Sequence, residues 1–139
     1  GINALSIVTR IVPESFHLVR SDLFFPENRA APIAANLAFR TAGGVPVSAE
    51  FDWRQTGPQT WDIRVETDEG QIVLSHGGSR LSVDGDQRMI EDDREYRNLY
   101  KHFVRLVGEG RSDADFSPLV HVADAFMLGR RHAVEAFED

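Results

Sequence analysis

The chain has 139 residues, 42% hydrophobic and 27% charged, which is enough apolar material for one packed domain and too much for a disordered tail. Its formal charge of −7 disfavours nucleic acid, whose phosphates demand a basic footprint, and the absence of cysteine excludes disulfides and thiolate metal sites. No apolar run reaches membrane-spanning length and no signal peptide opens the chain, so no membrane partner is expected and a cytoplasmic location fits.

Behind Gly1, the residues Ile2, Leu5, Ile7, Val8, Ile11 and Val12 fall at helical spacing, and Pro13 stops the run. A helix this short needs a neighbour to cover its apolar face. Opening at residue 2 with no lead-in, it is expected to be an internal piece of a longer polypeptide. From Ser15 to Asp84 the period is two. Phe16, Leu18 and Arg20 alternate with His17 and Val19, and Ile33, Ala35, Leu37 and Phe39 form one side of a second run. Val45, Val47, Ala49, Phe51 and Trp53 form one side of a third, with Ser48, Glu50, Asp52 and Arg54 opposite. Trp61, Ile63 and Val65 alternate with Asp62, Arg64 and Glu66, and Ile72, Leu74, Leu81 and Val83 complete the series. Turns are placed at Gly43-Gly44, Asp68-Glu69-Gly70 and Gly77-Gly78. Short links imply antiparallel pairing, and clean alternation implies one packed and one polar face. Tyr96, Leu99, Tyr100, Phe103, Leu106 and Val107 then make a helical stripe ended by Gly108 and Gly110. Ser117 reads as the cap of a last helix with Pro118 in its first turn, carrying Leu119, Val122, Ala123, Phe126 and Met127 and ending near Gly129. The order predicts an α+β fold: a mostly antiparallel sheet with helices packed on one face.

The visible chemistry is sparse. No Gly-rich phosphate loop is present, so the chain has no dinucleotide fingerprint. The five histidines lack metal-ligand spacing: His17 reads as a strand residue, and His102 and His121 as surface or rim positions on helices. Asp113 and Asp115 lack the other oxygen ligands of a calcium loop and read as loop or capping residues. Two features invite a functional reading. Asn3 is a carboxamide in the first turn of an apolar helix, where it serves either as a cap or turn residue or in a site. Residues 51–63, FDWRQTGPQTWDI, hold both tryptophans around Gly57-Pro58; these are either packing residues or indole faces presented to a sugar ring.

Three segments carry a resemblance: GINALSIVTRIVP at residues 1–13, FDWRQTGPQTWDI at 51–63, and EYRNLYKHFVRLVGEGRSDADFSPLVHVADAFMLGRR at 95–131. Together they resemble the D-galactose 1-dehydrogenases and the related L-arabinose 1-dehydrogenases, within the glucose–fructose oxidoreductase, inositol dehydrogenase and MocA superfamily. The resemblance implies the C-terminal, sheet-bearing domain of a two-domain oxidoreductase, spanning residues 1–139. The Rossmann domain that binds NAD or NADP, with the catalytic lysine and the catalytic aspartate, lies outside this chain. Asn3 then matches the position four residues after that aspartate, where many members carry histidine. Trp61 matches a tryptophan lying against the bound sugar, and Gln59 and Thr60 are adjacent polar candidates. Trp53 is read as core or sheet packing.

The resemblance further implies oxidation of the anomeric carbon of an aldopyranose to a lactone, with hydride passing to the nicotinamide while a base takes the O1 proton. Neutral Asn3 is no base at pH 7; its part is to hydrogen-bond a sugar hydroxyl or orient the missing acid–base groups. The chain alone is therefore expected to be inactive. A homodimer is expected through the open sheet face, which carries Glu50, Arg54, Arg64 and Glu66. The competing readings are a non-catalytic sugar-sensing or scaffold protein, and a free-standing binding domain.

Overall fold

The computed structural model describes residues 1–58, 62–90 and 95–138. Its elements run α1 (Ile2–Ile11), β1 (Phe16–Pro26), β2 (Ala34–Thr41), β3 (Pro46–Asp52), β4 (Ile63–Thr67), β5 (Gly70–Ser75), β6 (Arg80–Val83), β7 (Asp86–Ile90), α2 (Glu95–Glu109), α3 (Ser117–Leu128) and β8 (Arg130–Val134). The α+β class and the antiparallel strand pairing follow the sequence pattern, with β1–β8 the one parallel pair among the described residues. The strands do not make one sheet, however. They form two of four strands each, ordered β3-β2-β1-β8 and β4-β5-β6-β7. The chain divides accordingly into two compact units, Gly1–Gln55 with Ala114–Asp139, and Thr56–Asp113. The division falls in the link that follows β3, where Gly57 takes φ +89° and Pro58 has no N–H to give to a ladder; among the described residues β3 pairs only with β2.

In the first unit α3 packs on β1, and α1 packs on α3. The core joins Leu5 of α1, Phe16 and Leu23 of β1, Ala35, Leu37 and Phe39 of β2, and Ala125 of α3. Alternation in β1 is broken by a bulge. Leu18 pairs with the core residue Phe39, but Arg20 pairs with Ala38, so Val19 is the extra residue. Directly opposed residues share a face. Arg20 therefore moves off the face of Phe16 and Leu18, correcting the strict alternation; Ser21, opposite Leu37, takes its place, and Leu23 follows on the core side. β8, with sequence RRHAV, escapes sequence reading because it is an edge strand with four exposed residues and no apolar alternation.

Helix α3 is capped, though not by Ser117. Asp115 Oδ1 accepts hydrogen bonds from the Ser117 N–H (2.9 Å) and hydroxyl (2.7 Å), and both contacts hold its carboxyl below the usual range. Asp115→Ala is expected to destabilise the fold by about 1 kcal/mol in urea titration, as lost caps do. An unchanged midpoint would leave the cap without energetic weight. In the second unit two-residue hairpin turns link β4 to β5 and β6 to β7. At the second of these Asp84 adopts φ +53° and accepts the Gln71 N–H at 2.8 Å, bracing the neighbouring turn. Asp113 pairs with His102 Nε2 at 2.7 Å, so Asp113 is a loop residue tied to α2 and Asp115 a capping residue of α3.

Candidate functional site

Helix α1 opens without a capping side chain: Gly1 is its N-cap, and the first turn closes through Leu5 N–H donating to the Gly1 carbonyl at 3.2 Å. Asn3 sits exposed in that turn, so it does not cap the helix. Beside it lies a hollow of about 420 Å³, walled by Gly1, Ile2 and Leu5 of the helix, Phe51 and Trp53 of the β3 end, and Val122 and Phe126 of α3. This wall is almost wholly apolar. Trp53 lies on the core side, as alternation requires, but neither α1 nor α3 of its own unit covers it fully. It is 49% exposed, its ring stacks on Phe51 (centroids 5.9 Å apart, 17° between planes), and a Cβ on Gly1 would touch its ring at 3.9 Å. Sequence reading assigned Trp53 to packing; the structure makes it a rim residue of the hollow. The signal was present in its place, one residue past the end of the β3 ladder. Gln59, Thr60 and Trp61 lie outside the described residues.

His121 is corrected outright. It is not on the rim: it is 7% exposed, stacked on Phe16 (4.3 Å, 12°) and edge-on to Phe39 (5.4 Å, 71°). Its Nδ1 is buried with no hydrogen-bond partner among the described residues. Burial lowers its pKa, against the opposing pull of Asp124 and Asp115. The unfolded chain, with a histidine pKa near 6.5, therefore binds the proton first as pH falls. The stability due to neutral His121 is complete above about pH 6.5 and declines below it. His121→Leu is expected to flatten that part of the urea-midpoint profile between about pH 7 and about pH 5. A slope identical to the parent's would assign it to another group. The carboxylates with lowered pKa, Glu14, Asp22, Asp52 and Asp115, act in a separate and more acidic window.

The opposite face of the β3-β2-β1-β8 sheet is polar. Asp22 is nearly buried there between Arg20, whose Nε lies 2.5 Å from Oδ2, and His132, whose Nε2 lies 2.8 Å from Oδ1. Hydrogen bonds from Arg20 and then His132 lower the Asp22 pKa. Just past β3, Arg54 donates to Asp52 through its side chain and its backbone N–H, holding that carboxyl at about 2. A second hollow of about 500 Å³ on this face is lined by Asn36, Glu50, Asp52 and Arg54 beside Phe24 and Val134. Of the four charges placed on one open face from the sequence, Glu50 and Arg54 belong to this unit. Arg64 and Glu66 stand on β4 of the other sheet, because the strand series splits at Gly57-Pro58. Among the described residues no His, Asp and Glu group has the makings of a metal site. Nor do they include a glycine-rich strand-to-helix turn suited to a dinucleotide phosphate.

No family model matches the chain. A galactose 1-dehydrogenase of Pseudomonas fluorescens is 40% identical over 139 residues, all of this chain and 46% of that protein. The crystal structure of a D-galactose-1-dehydrogenase from Rhizobium etli shares 58% identity and superposes with a TM-score of 0.87, over 99% of this chain and 44% of that one. A 3-ketoreductase from Actinomadura kijaniata, solved in complex with NADP, shares the fold at a TM-score of 0.75 with 12% identity, over 96% of this chain and 47% of that one. No described helix is long and apolar enough to cross a membrane. The resemblance to D-galactose 1-dehydrogenases therefore holds along the entire chain, which spans about half the length of the relatives it matches.

Proposed function

We propose that this chain is the C-terminal, substrate-side half of an NAD- or NADP-dependent aldose 1-dehydrogenase that oxidises D-galactose at its anomeric carbon. The observation that carries the reading is identity to two galactose dehydrogenases, 40% and 58%, sustained over essentially every residue. In this reading Asn3, exposed at the start of α1, hydrogen-bonds a sugar hydroxyl or orients the acid–base groups of the other half. Trp61, with Gln59 and Thr60, supplies the indole that sets the sugar plane. In the same reading the cofactor, NAD or NADP, belongs to the other half, as the resemblance implies. Self-association uses the polar face around Asp22, Glu50 and His132, where charges of both signs suit an isologous contact.

The test compares the full-length protein with the 139-residue chain. Only the former is expected to reduce NAD or NADP with D-galactose. Turnover by a sequence-verified sample of the chain alone would overturn the division of labour, and a full-length protein inert towards galactose and arabinose would overturn the reading itself. Trp61→Ala in the full-length protein is expected to lower kcat/KM for galactose about tenfold or more, the equivalent of losing one stacked aromatic, with cofactor affinity unchanged. A large fall in melting temperature with an unchanged galactose KM would instead make Trp61 a packing residue.

A further inference from the structure

Trp53 is exposed without being loose. Its backbone N–H donates to the Ile33 carbonyl at 3.0 Å, one step past the end of β3. Its ring lies on Phe51, nearly parallel to it. On the opposite face Asp52 accepts from both the backbone and the side chain of Arg54, so the residues on either side of the indole are locked together. Half of a large apolar side chain thus stays bare while its backbone, its neighbours and one ring face are fixed. A side chain ordered in advance of binding gives up little entropy to a ligand, so this frame suits a binding platform. The hollow that Trp53 helps to wall measures about 420 Å³, within the roughly 300–1,000 Å³ of small-molecule sites. Gly1 and Ile2, on the same wall, open α1, the helix whose first turn presents Asn3.

We propose that Trp53 is a second sugar-binding indole, additional to Trp61, whose open face takes an apolar C–H patch of the aldopyranose; this rests on the dehydrogenase reading above. D-galactopyranose offers such a patch. Its 4-hydroxyl is axial, so the C–H bonds at carbons 3, 4 and 5 all lie toward one face of the ring. An indole binds that face by dispersion and through its negative π-cloud. In the 4-epimer, D-glucopyranose, the equatorial 4-hydroxyl turns the C4–H bond to the other face and breaks the patch. Trp53 therefore carries part of the preference between the two epimers, a difference in apolar contact rather than in charge.

Trypsin cuts after Arg40, Arg54 and Arg64, so the two tryptophans fall in separate peptides, residues 41–54 and 55–64. In the native full-length protein, hydroxyl-radical oxidation read on these peptides by tandem mass spectrometry is expected to fall severalfold at Trp53 when D-galactose is saturating. NAD or NADP alone is expected to leave it unchanged. Trp53→Leu is expected to raise the galactose KM about tenfold, to narrow the preference for galactose over glucose in kcat/KM, and to leave the cofactor KM as it was. Trp53→Phe keeps a flat ring and is expected to restore most of both. Equal oxidation of Trp53 with and without galactose, in an enzyme that turns galactose over, would overturn the inference and leave the dehydrogenase reading standing. An indole already inert to radicals in the sugar-free protein would do the same, since polypeptide would then cover it. A lowered melting temperature for Trp53→Leu with an unchanged galactose KM returns the residue to packing. Should Trp53→Leu fail to fold, the oxidation of the parent protein still decides. A full-length protein inert towards galactose and arabinose is a different outcome, in which the dehydrogenase reading falls and takes this inference with it.

Discussion

Leu23→Ala is expected to destabilise the protein by about 2–5 kcal/mol, the range for a leucine removed from a packed core. Leu23 is 1% exposed and sits where β1, β2 and α3 meet, opposite Ala35 and in the cluster with Leu37 and Ala125. It also forms part of the wall of the apolar hollow, so the deleted methyls would enlarge an existing void rather than one able to collapse. Poor collapse puts the cost in the upper part of that range. Val19, the exposed bulge residue four positions earlier, is the control: Val19→Ala is expected to shift stability by no more than about 0.5 kcal/mol. Urea unfolding followed by circular dichroism reads both. Equal midpoints for the two variants would show that the β1–α3 junction is not where the stability lies.

Gly129→Ala is expected to be nearly as damaging, for a steric reason. Gly129 has an ordinary φ of −71°, so conformational freedom is not what the position requires. It requires space. A Cβ there would collide with the Ala125 carbonyl oxygen, stand 2.7 Å from Ser21 Oγ and 3.1 Å from Leu23 Cδ1. Those atoms already make the joint between helix and sheet, since the buried Ser21 hydroxyl donates to the Ala125 carbonyl at 2.8 Å. Forcing a methyl into the joint pushes α3 off β1, at about 1–3 kcal/mol or more. The double variant with Leu23→Ala separates the contacts. Removing the leucine relieves only the outermost of the three, so the double variant is expected to be less stable than either single one. Recovery of stability on adding Leu23→Ala would make the leucine methyl, and not the backbone oxygen, the obstacle.

The parts of the fold legible in the sequence are those where packing imposes a period. The α1 stripe and the core sides of β2 and β3 follow from spacing alone, because each packs a regular row; the two later helices were legible as helices, but the rows Tyr96–Val107 and Leu119–Met127 are largely exposed, and α3 buries Pro118, His121 and Ala125 instead. What escaped reading has its cause outside local pattern. β8 is an exposed edge with no apolar row, and Val19 interrupts β1 for a reason that only the pairing to β2 reveals. His121 was misplaced because a ring that can be polar was read as polar; two phenylalanine rings bury it. Of the candidate site, Asn3 stands where helical spacing places it, exposed in the first turn. Trp53 was assigned to the correct face but the wrong exposure, since a period tells which way a side chain points and not whether anything lies above it.

The order of the strands sets the order of events during synthesis. β1 needs β8 along one edge, yet Asp22 and the His132 that binds it are 110 residues apart, with the whole second unit between them. At ribosomal speed, about 5–20 residues per second, the edge of β1 stays open for roughly 5–20 seconds before its last partner is made. In that interval the β4-β7 meander, whose pairings are all local, has everything it needs to form. Arg20 and Asp22 lie along the waiting edge, and charged side chains on an unpaired strand discourage another chain from adding to it.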